Sequence, residues 1–443
     1  MEYSKPGYRI DLPVAAGRNL LSVSCFFLFL AGAVAQSKTP DWIKRIDPVL
    51  GIQVWSVYTV NEAVFNPDSS RYERIRPRLN TIVRRTRFGV RSELFEGLKV
   101  ELLFGLDQVG KEALSGAPGS ANNGSSPVIN PLNAFVAYSL PGCGQALNLT
   151  AGYFTPQFGR ESVTGSFRVS SMEKAASQTY MRRHIFGPGS GRLGGINAGG
   201  LLLDTALHIG CQYDFGVFNP VFDTYGSNSS GDYSPVVWVG RAVVSIGDPE
   251  SKTYKQVQEY NFFNRRKGLS IGIGLAGQGA EAGFLNNQGF NLDVLINWKA
   301  FNLAGEWDLL KRRSSLTDNG HAEVRTYRAD TGCCRLSWNF HMRHNRFLEP
   351  VVTAAVFKGP MDPAGQKTAE AMKLASGKDY SLEAGVNLHL MPRKLKVNLH
   401  YTWRRGDAGS AGSGSTVNAY FSQPEVGAIT RGNWLGLGLL AMY

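Results

Sequence analysis

Apolar and polar positions alternate with a period of two along most of this chain, most strictly between Arg84 and Asp107. Arg85, Arg87, Gly89, Arg91 and Glu93 share one parity, and Phe88, Val90 and Leu94 share the other. After Phe95-Glu96-Gly97 the alternation resumes, with Leu98, Val100, Leu102, Phe104 and Leu106 set against Lys99, Glu101, Leu103, Gly105 and Asp107. Period two on both sides of a short glycine-containing turn predicts a β-hairpin.

The same pattern predicts further strands along the chain. The first runs from Pro48 to Val60, and others cover Leu132–Leu140, Ala146–Phe154, Leu201–Ile209, Cys211–Phe218 and Pro235–Ile246. Leu269, Ile271, Ile273 and Leu275 oppose Ser270, Gly272, Gly274 and Ala276. Phe290, Leu292, Val294, Ile296 and Trp298 oppose Asn291, Asp293, Asn297 and Lys299. Strands at Phe301–Leu310, Val324–Met342, Phe347–Phe357, Tyr380–Leu390, Leu395–Arg404 and Trp434–Tyr443 complete the set. Polar loops are expected at Asn61–Pro77 and Ser115–Asn130. Between Thr155 and Gly200 the β pattern lapses, leaving room for a short helix over Ser170–Arg183 and a glycine-rich stretch from Gly187.

This amounts to about 16 strands of roughly 9 to 12 residues, an even number within the range of outer-membrane barrels. A soluble sandwich of that size would divide into domains with visible linkers, and a β-helix would need a short repeat that the sequence lacks. The expected fold is therefore all-β, a transmembrane antiparallel β-barrel with apolar residues toward lipid and arginines toward a watery interior. Trp238, Trp298, Trp307, Trp338, Trp403 and Tyr443 stand near strand ends, as the aromatic girdles of such a barrel require.

Asn19–Val34 is almost wholly apolar, follows Arg18 and ends in Ala33-Val34-Ala35. At about 16 residues it falls short of the roughly 20 that cross a bilayer as a helix. Residues 1–35 are read as a cleaved secretory leader and 36–443 as the barrel. Met1 stands unusually far ahead of Arg18, so the leader is long or the true start lies downstream.

Charge sharpens the functional reading. The formal net charge is +12, and a basic excess on an exported protein points to small anions or acidic lipopolysaccharide rather than nucleic acid. Cys143, Cys211, Cys333 and Cys334 show no metal-ligand spacing, and an adjacent pair rarely bridges to itself. No metal or cofactor is expected. The histidines form no HExxH and no G-x-S-x-G elbow is present, so no enzyme is expected. Gly272-x-Gly274 reads as small residues facing the pore.

Within Asn148–Lys174 the run Gly152-Tyr153-Phe154-Thr155-Pro156-Gln157-Phe158-Gly159-Arg160-Glu161 resembles a strand-and-turn motif of the phosphate-selective porin O and P family. Arg84-Arg85-Thr86-Arg87-Phe88-Gly89 resembles that family's arginine-rich second strand, and Gly216-Val217-Phe218-Asn219 its Gly-Val-Phe-Asn. The order of the three agrees, and they cover about residues 84–220. The resemblance implies a 16-stranded trimeric porin of the Gram-negative outer membrane that conducts anions past an infolded constriction loop. The lapse from Thr155 to Gly200 lies where that loop would be. A ladder of arginines and a lysine cluster do not align residue by residue, which leaves phosphate itself open.

A pore of this kind does no chemistry, and rows of Arg and Lys lower the barrier for anions. Arg85, Arg87 and Arg91, about 7 Å apart at alternate positions, are candidate pore-lining residues. So are Arg160, Arg168, Lys174, Arg182 and Arg183 in the loop, and Lys396 and Arg404 near the end of the chain. The competing reading makes Glu93, Glu101 and Asp107 a cross-strand network that neutralises the first three. The function expected is an outer-membrane diffusion channel with a preference for anions, phosphate being the candidate solute. The alternative is a saccharide- or ligand-binding channel or an adhesin-like barrel.

Overall fold

A computed structural model describes residues 46–119, 127–219, 235–280, 284–318, 321–412, 414, 421–423 and 426–443. The expected leader lies outside them. Chain contacts separate Met1–Asp47 from Pro48–Tyr443, and the second unit carries the barrel.

Sixteen antiparallel strands close into a barrel. They are β1 (Ile46–Val60), β2 (Arg78–Phe95), β3 (Leu98–Gly105, continued by Asp107–Val109), β4 (Asn130–Ser139), β5 (Asn148–Phe154), β6 (Leu193–Asp204), β7 (Ile209–Phe218) and β8 (Val237–Gly247). The other half comprises β9 (Lys267–Gln278), β10 (Asn286–Trp298), β11 (Phe301–Asp318), β12 (His321–Trp338), β13 (Arg346–Lys358), β14 (Lys378–Met391), β15 (Leu395–Asp407) and β16 (Asn433–Met442). Each pairs with its sequence neighbour. Closure comes from β1, which pairs with β2 and, from Gly51↔Met442 to Val60↔Asn433, with β16. No edge strand is left unpaired in the wall, which is the condition for a β-structure to sit in lipid.

The faces follow the sequence parity. On β9 Ile271, Ile273 and Leu275 are exposed outward, while Ser270, Gly272 and Gly274 are buried inward. On β10 Phe290, Leu292 and Trp298 face out, and Asn291, Asp293 and Asn297 face in. An exterior of Leu, Ile, Val and aromatic residues over an interior of Asn, Asp, Arg and Ser inverts a soluble protein. The expected hairpin is present as β2 and β3, paired from Phe88↔Phe104 to Phe95↔Leu98 with a register shift near the turn.

Several boundaries differ from expectation. The stretch Leu201–Ile209, expected as one strand, straddles the turn between β6 and β7, and β6 begins back at Leu193 within the glycine-rich stretch. Glycines hid it, because they carry no hydrophobic parity. The helix expected over Ser170–Arg183 is Ala176–Phe186, preceded by a short turn of helix at Arg160–Val163, here α1, so that it is α2. A further helix, α3 (Pro363–Ala371), was not foreseen; Asp362 caps it by accepting from Gly365 N at 2.8 Å. Strand β11 runs to Asp318, eight residues beyond the expected end at Leu310. β12 stops at Trp338, and Phe340–Met342 is a separate extension paired with β13.

Candidate functional site

The interior is shaped by two chain segments that enter it. The first is the 155–192 loop between β5 and β6. Its departure from the wall is set at Gly152, where φ is +135° and a Cβ would stand 2.3 Å from Ala134 O; only glycine fits there. The loop packs on one side of the lumen through an apolar cluster. Phe158, Tyr180, Met181, Ile185 and Phe186 meet Phe154, Phe218, Val237, Val239, Leu310, Tyr327 and Phe357 of the wall. Tyr180 stacks on Phe357 at 3.8 Å, and its hydroxyl donates to Asp379 at 2.8 Å. The inward Gly274 lets the loop come this close, since a Cβ there would lie 2.5 Å from Phe158 O. The two inward glycines of β9 thus make room for packing rather than border open water.

Charge fixes what apolar packing positions. Arg160 of α1 donates to Asp293 at 2.8 Å and, bidentately, to Glu250 at 2.8 and 3.0 Å. Arg241 of the wall pairs with the same Asp293 at 2.6 Å. Glu161 accepts both terminal nitrogens of Arg335, at 2.8 and 3.0 Å. Burial raises the Glu161 carboxyl, but Arg335 outweighs it and holds the group below its ordinary range. Further along, Ser170 Oγ donates to Glu349 at 2.6 Å, Met172 N to Glu383 at 2.7 Å, and Lys396 Nζ to Val169 O at 2.9 Å. Glu173 lies between Arg84 and Arg85 and pairs with both. Burial works against its charge, yet the two guanidiniums bring it down to about 2. Paired and hydrogen-bonded on several sides, these buried ions meet the condition for tolerating burial.

On the other side of the loop a cavity of about 970 Å³ stays open. Its lining reaches from Pro118, Arg431 and Trp434 at the long-loop end to Val49, Ser139, Gln145 and Tyr443 at the short-turn end. The wall here is β1 to β5 with β13 to β16. Twelve Arg or Lys line it against five Asp or Glu.

Seven of the ten residues singled out by sequence meet in this cavity: Arg85, Arg87, Arg91, Arg168, Lys174, Arg182 and Arg404. Three lie elsewhere. Arg160 is buried in its carboxylate cage, Lys396 sits behind the loop and holds a backbone carbonyl, and Arg183 is exposed on the far face of α2. The competing network is also present in part. Arg87 pairs with Asp107 and Arg91 with Glu101, both at 2.5 Å, whereas Glu93 accepts from Gly97 N. Arg85 finds its carboxylate on the loop instead, with Gln53 as a second acceptor at 2.9 Å.

The cavity adds Arg84, Lys99, Arg192, Lys255 and Arg431, which sequence reasoning missed. Arg84 lies on the parity opposite to Arg85, yet both are buried: inward burial passes from Ile82 and Arg84 to Arg85 at this point of β2. Arg192 was hidden within the glycine-rich stretch; it donates to Asn133 at 3.0 Å. Burial, with Arg87 nearby, pushes it down to about 10. Lys174 donates to Ser162 O at 2.8 Å. Burial pushes its amine down to about 7, with Arg192 and Arg85 adding to the shift against Glu161.

Comparison with known proteins places this geometry. Residues 68–200 match the family model described as phosphate-selective porin O and P, a span that contains β2 to β5 and the whole infolded loop. Among solved structures, the outer membrane channel DcaP of Acinetobacter baumannii is 10% identical with a TM-score of 0.51, over 90% of this chain and 97% of that one. The anion-selective porin from Comamonas acidovorans is 13% identical with a TM-score of 0.51, over 90% and 100%. Salmonella typhi OmpF, in its complex with daunomycin, is 11% identical with a TM-score of 0.51, over 90% and 97%. No curated protein matches the sequence. At these identities the structural likeness is one of fold.

Proposed function

We propose that this chain, whose residues 68–200 match the phosphate-selective porin O and P family model, is an outer-membrane channel for passive diffusion of small hydrophilic solutes, with a preference for anions. The observation that carries the reading is the excess of twelve cationic over five anionic side chains along one continuous lumen. In a narrow low-dielectric passage such an excess concentrates anions and repels cations. Nothing is made or broken; a solute moves down its gradient, so the reading is of a channel and not an enzyme.

Finer parts of the proposal rest on the same reading. Arg85, Arg87, Arg168, Lys174, Arg182 and Arg404 form the path, and phosphate is the anion suggested by the family match. Residues 1–35 act as the cleaved leader, the exterior meets outer-membrane lipid and lipopolysaccharide, and the working unit is a homotrimer. The long-loop end faces outward and the short-turn end the periplasm, as in other outer-membrane barrels.

Planar-bilayer recording tests this directly. The purified protein is expected to form discrete channels whose reversal potential in a KCl gradient has the sign of chloride selectivity, and phosphate is expected to reduce the chloride current competitively. Cation selectivity would overturn the anion preference. Absence of any channel would overturn the whole reading.

A further inference from the structure

Turns at the end of the barrel opposite the long loops are short, with one exception. Residues 248–266, between β8 and β9, turn back into the lumen, where Thr253, Tyr254, Lys255, Gln256, Val257 and Glu259 line the channel. The segment meets the 155–192 loop there. Gln258 N donates to Val163 O at 3.1 Å and Gly165 N to Gln258 O at 3.3 Å, so that Thr164 and Gln258 form a parallel β-bridge. The constriction is therefore built by two segments that enter from opposite ends.

The turn is also bound to the wall along its length. Tyr254 N donates to Gln145 Oε1 at 2.8 Å, and Gln256 Nε2 to Thr150 Oγ1 at 3.1 Å. Tyr260 OH donates to Asn302 O at 3.0 Å, and Asn261 Nδ2 to Glu349 at 2.8 Å. Two of its three acidic groups are engaged in ion pairs, and the third, Asp248, accepts from Lys267 N at 2.8 Å. Glu250 is held by Arg160, and Glu259 lies between Arg168 at 3.1 Å and Arg393 at 2.7 Å. Lys255 is different: it is exposed to the lumen and pairs with no carboxylate among the described residues.

We propose that the 248–266 turn is a second, fixed jaw of the selectivity filter, and that Lys255 is the residue through which it selects for anions. The inference rests on the channel reading above and extends it to a segment outside the matched span. An unpaired ammonium on the wall of a narrow pore raises the local anion concentration without offering a binding cage, which favours conduction over trapping. Rivets at both ends of the jaw keep that charge at one depth.

The test compares Lys255→Glu with Lys299→Glu, a substitution of an exposed lysine in the turn between β10 and β11, off the channel. Lys255→Glu is expected to lower the chloride-over-potassium permeability ratio roughly threefold or more, and Lys299→Glu to leave it unchanged. A second measurement uses Val257→Cys in a background in which the other cysteines are replaced by serine. Modification by a charged thiol reagent is expected to lower single-channel conductance. Wild-type selectivity in Lys255→Glu, together with undiminished current after labelling at residue 257, would overturn the second jaw while leaving the channel intact. Absence of channels from the wild-type protein would instead overturn the channel reading, and this inference with it.

Discussion

At the scale of single residues, the charges in the lumen divide into those that hold the loop and those that face the solute. Glu173 belongs to the first group. Glu173→Gln would leave Arg84 and Arg85 without their carboxylate, a loss on the order of 3–5 kcal/mol for a buried pair broken on one side. A lower temperature for heat-induced unfolding, read by the shift in mobility on SDS gels, is the expected result; an unchanged temperature would show the clamp to be incidental. Lys174 belongs to the second group. Its amine, pushed down to about 7 by burial, is charged below that pH and neutral above it, so the anion-over-cation permeability ratio should fall as pH rises through 7. Lys174→Arg keeps its charge throughout and should abolish the step; a step persisting in that variant would assign it to another group. Sequence alone carried part of this. That Glu101 and Asp107 would meet arginines across the hairpin was legible, because alternation puts them on one face; which carboxylate meets which arginine was not, because alternation leaves the register open. Glu173 as the partner of Arg84 and Arg85 was not, because no periodicity links residues so far apart in sequence.

At the scale of elements, strands were easier to read than anything that fills them. A strand of a membrane barrel writes its two environments into alternate residues, so β9, β10 and β15 could be placed to within four residues at either end. Glycine-rich β6 could not, since a face without side chains shows no parity. The lapse after Thr155 marked the infolded loop, whereas nothing in the alternation singled out the 248–266 turn. Counting strands puts it at the short-turn end, but its course back into the lumen is decided by partners such as Val163, Thr150 and Gln145 elsewhere in the chain. The loop is anchored in the wall by Glu349, whose carboxylate accepts from Ser170, Asn261, Ser337, Asn387 and His389 at 2.6 to 2.9 Å. Glu349→Ala would leave five donors facing a void and free both jaws at once. Larger and noisier single-channel currents are expected, with anion selectivity reduced; quiet currents of wild-type size would show that the apolar cluster of α2 alone positions the loop.

At the scale of the whole molecule, the arrangement of tryptophans turns the inverted barrel into a measurable claim. Trp238, Trp298, Trp307, Trp338 and Trp403 are 38–59% exposed on the outer surface, whereas Trp55 and Trp434 are 0% and 1% exposed and stack on each other inside at 6.2 Å. In water, five outward indoles above rows of outward Leu and Ile would be a severe aggregation liability. In a bilayer they are the girdle that amphipathic rings form at the lipid boundary. The two environments are separable by fluorescence. In vesicles of lipid brominated along the acyl chain, a variant retaining only Trp298 or Trp338 should be strongly quenched relative to unbrominated vesicles. One retaining only Trp434, shielded by the wall and by Met172 and Trp55, should keep most of its emission. Equal quenching at all three sites would mean that lipid reaches the interior, and no quenching at Trp298 and Trp338 would mean that the apolar exterior does not contact lipid. Either outcome contradicts the barrel in its membrane orientation, because the parity that sends Arg85 into the lumen is the same parity that sends those indoles outward.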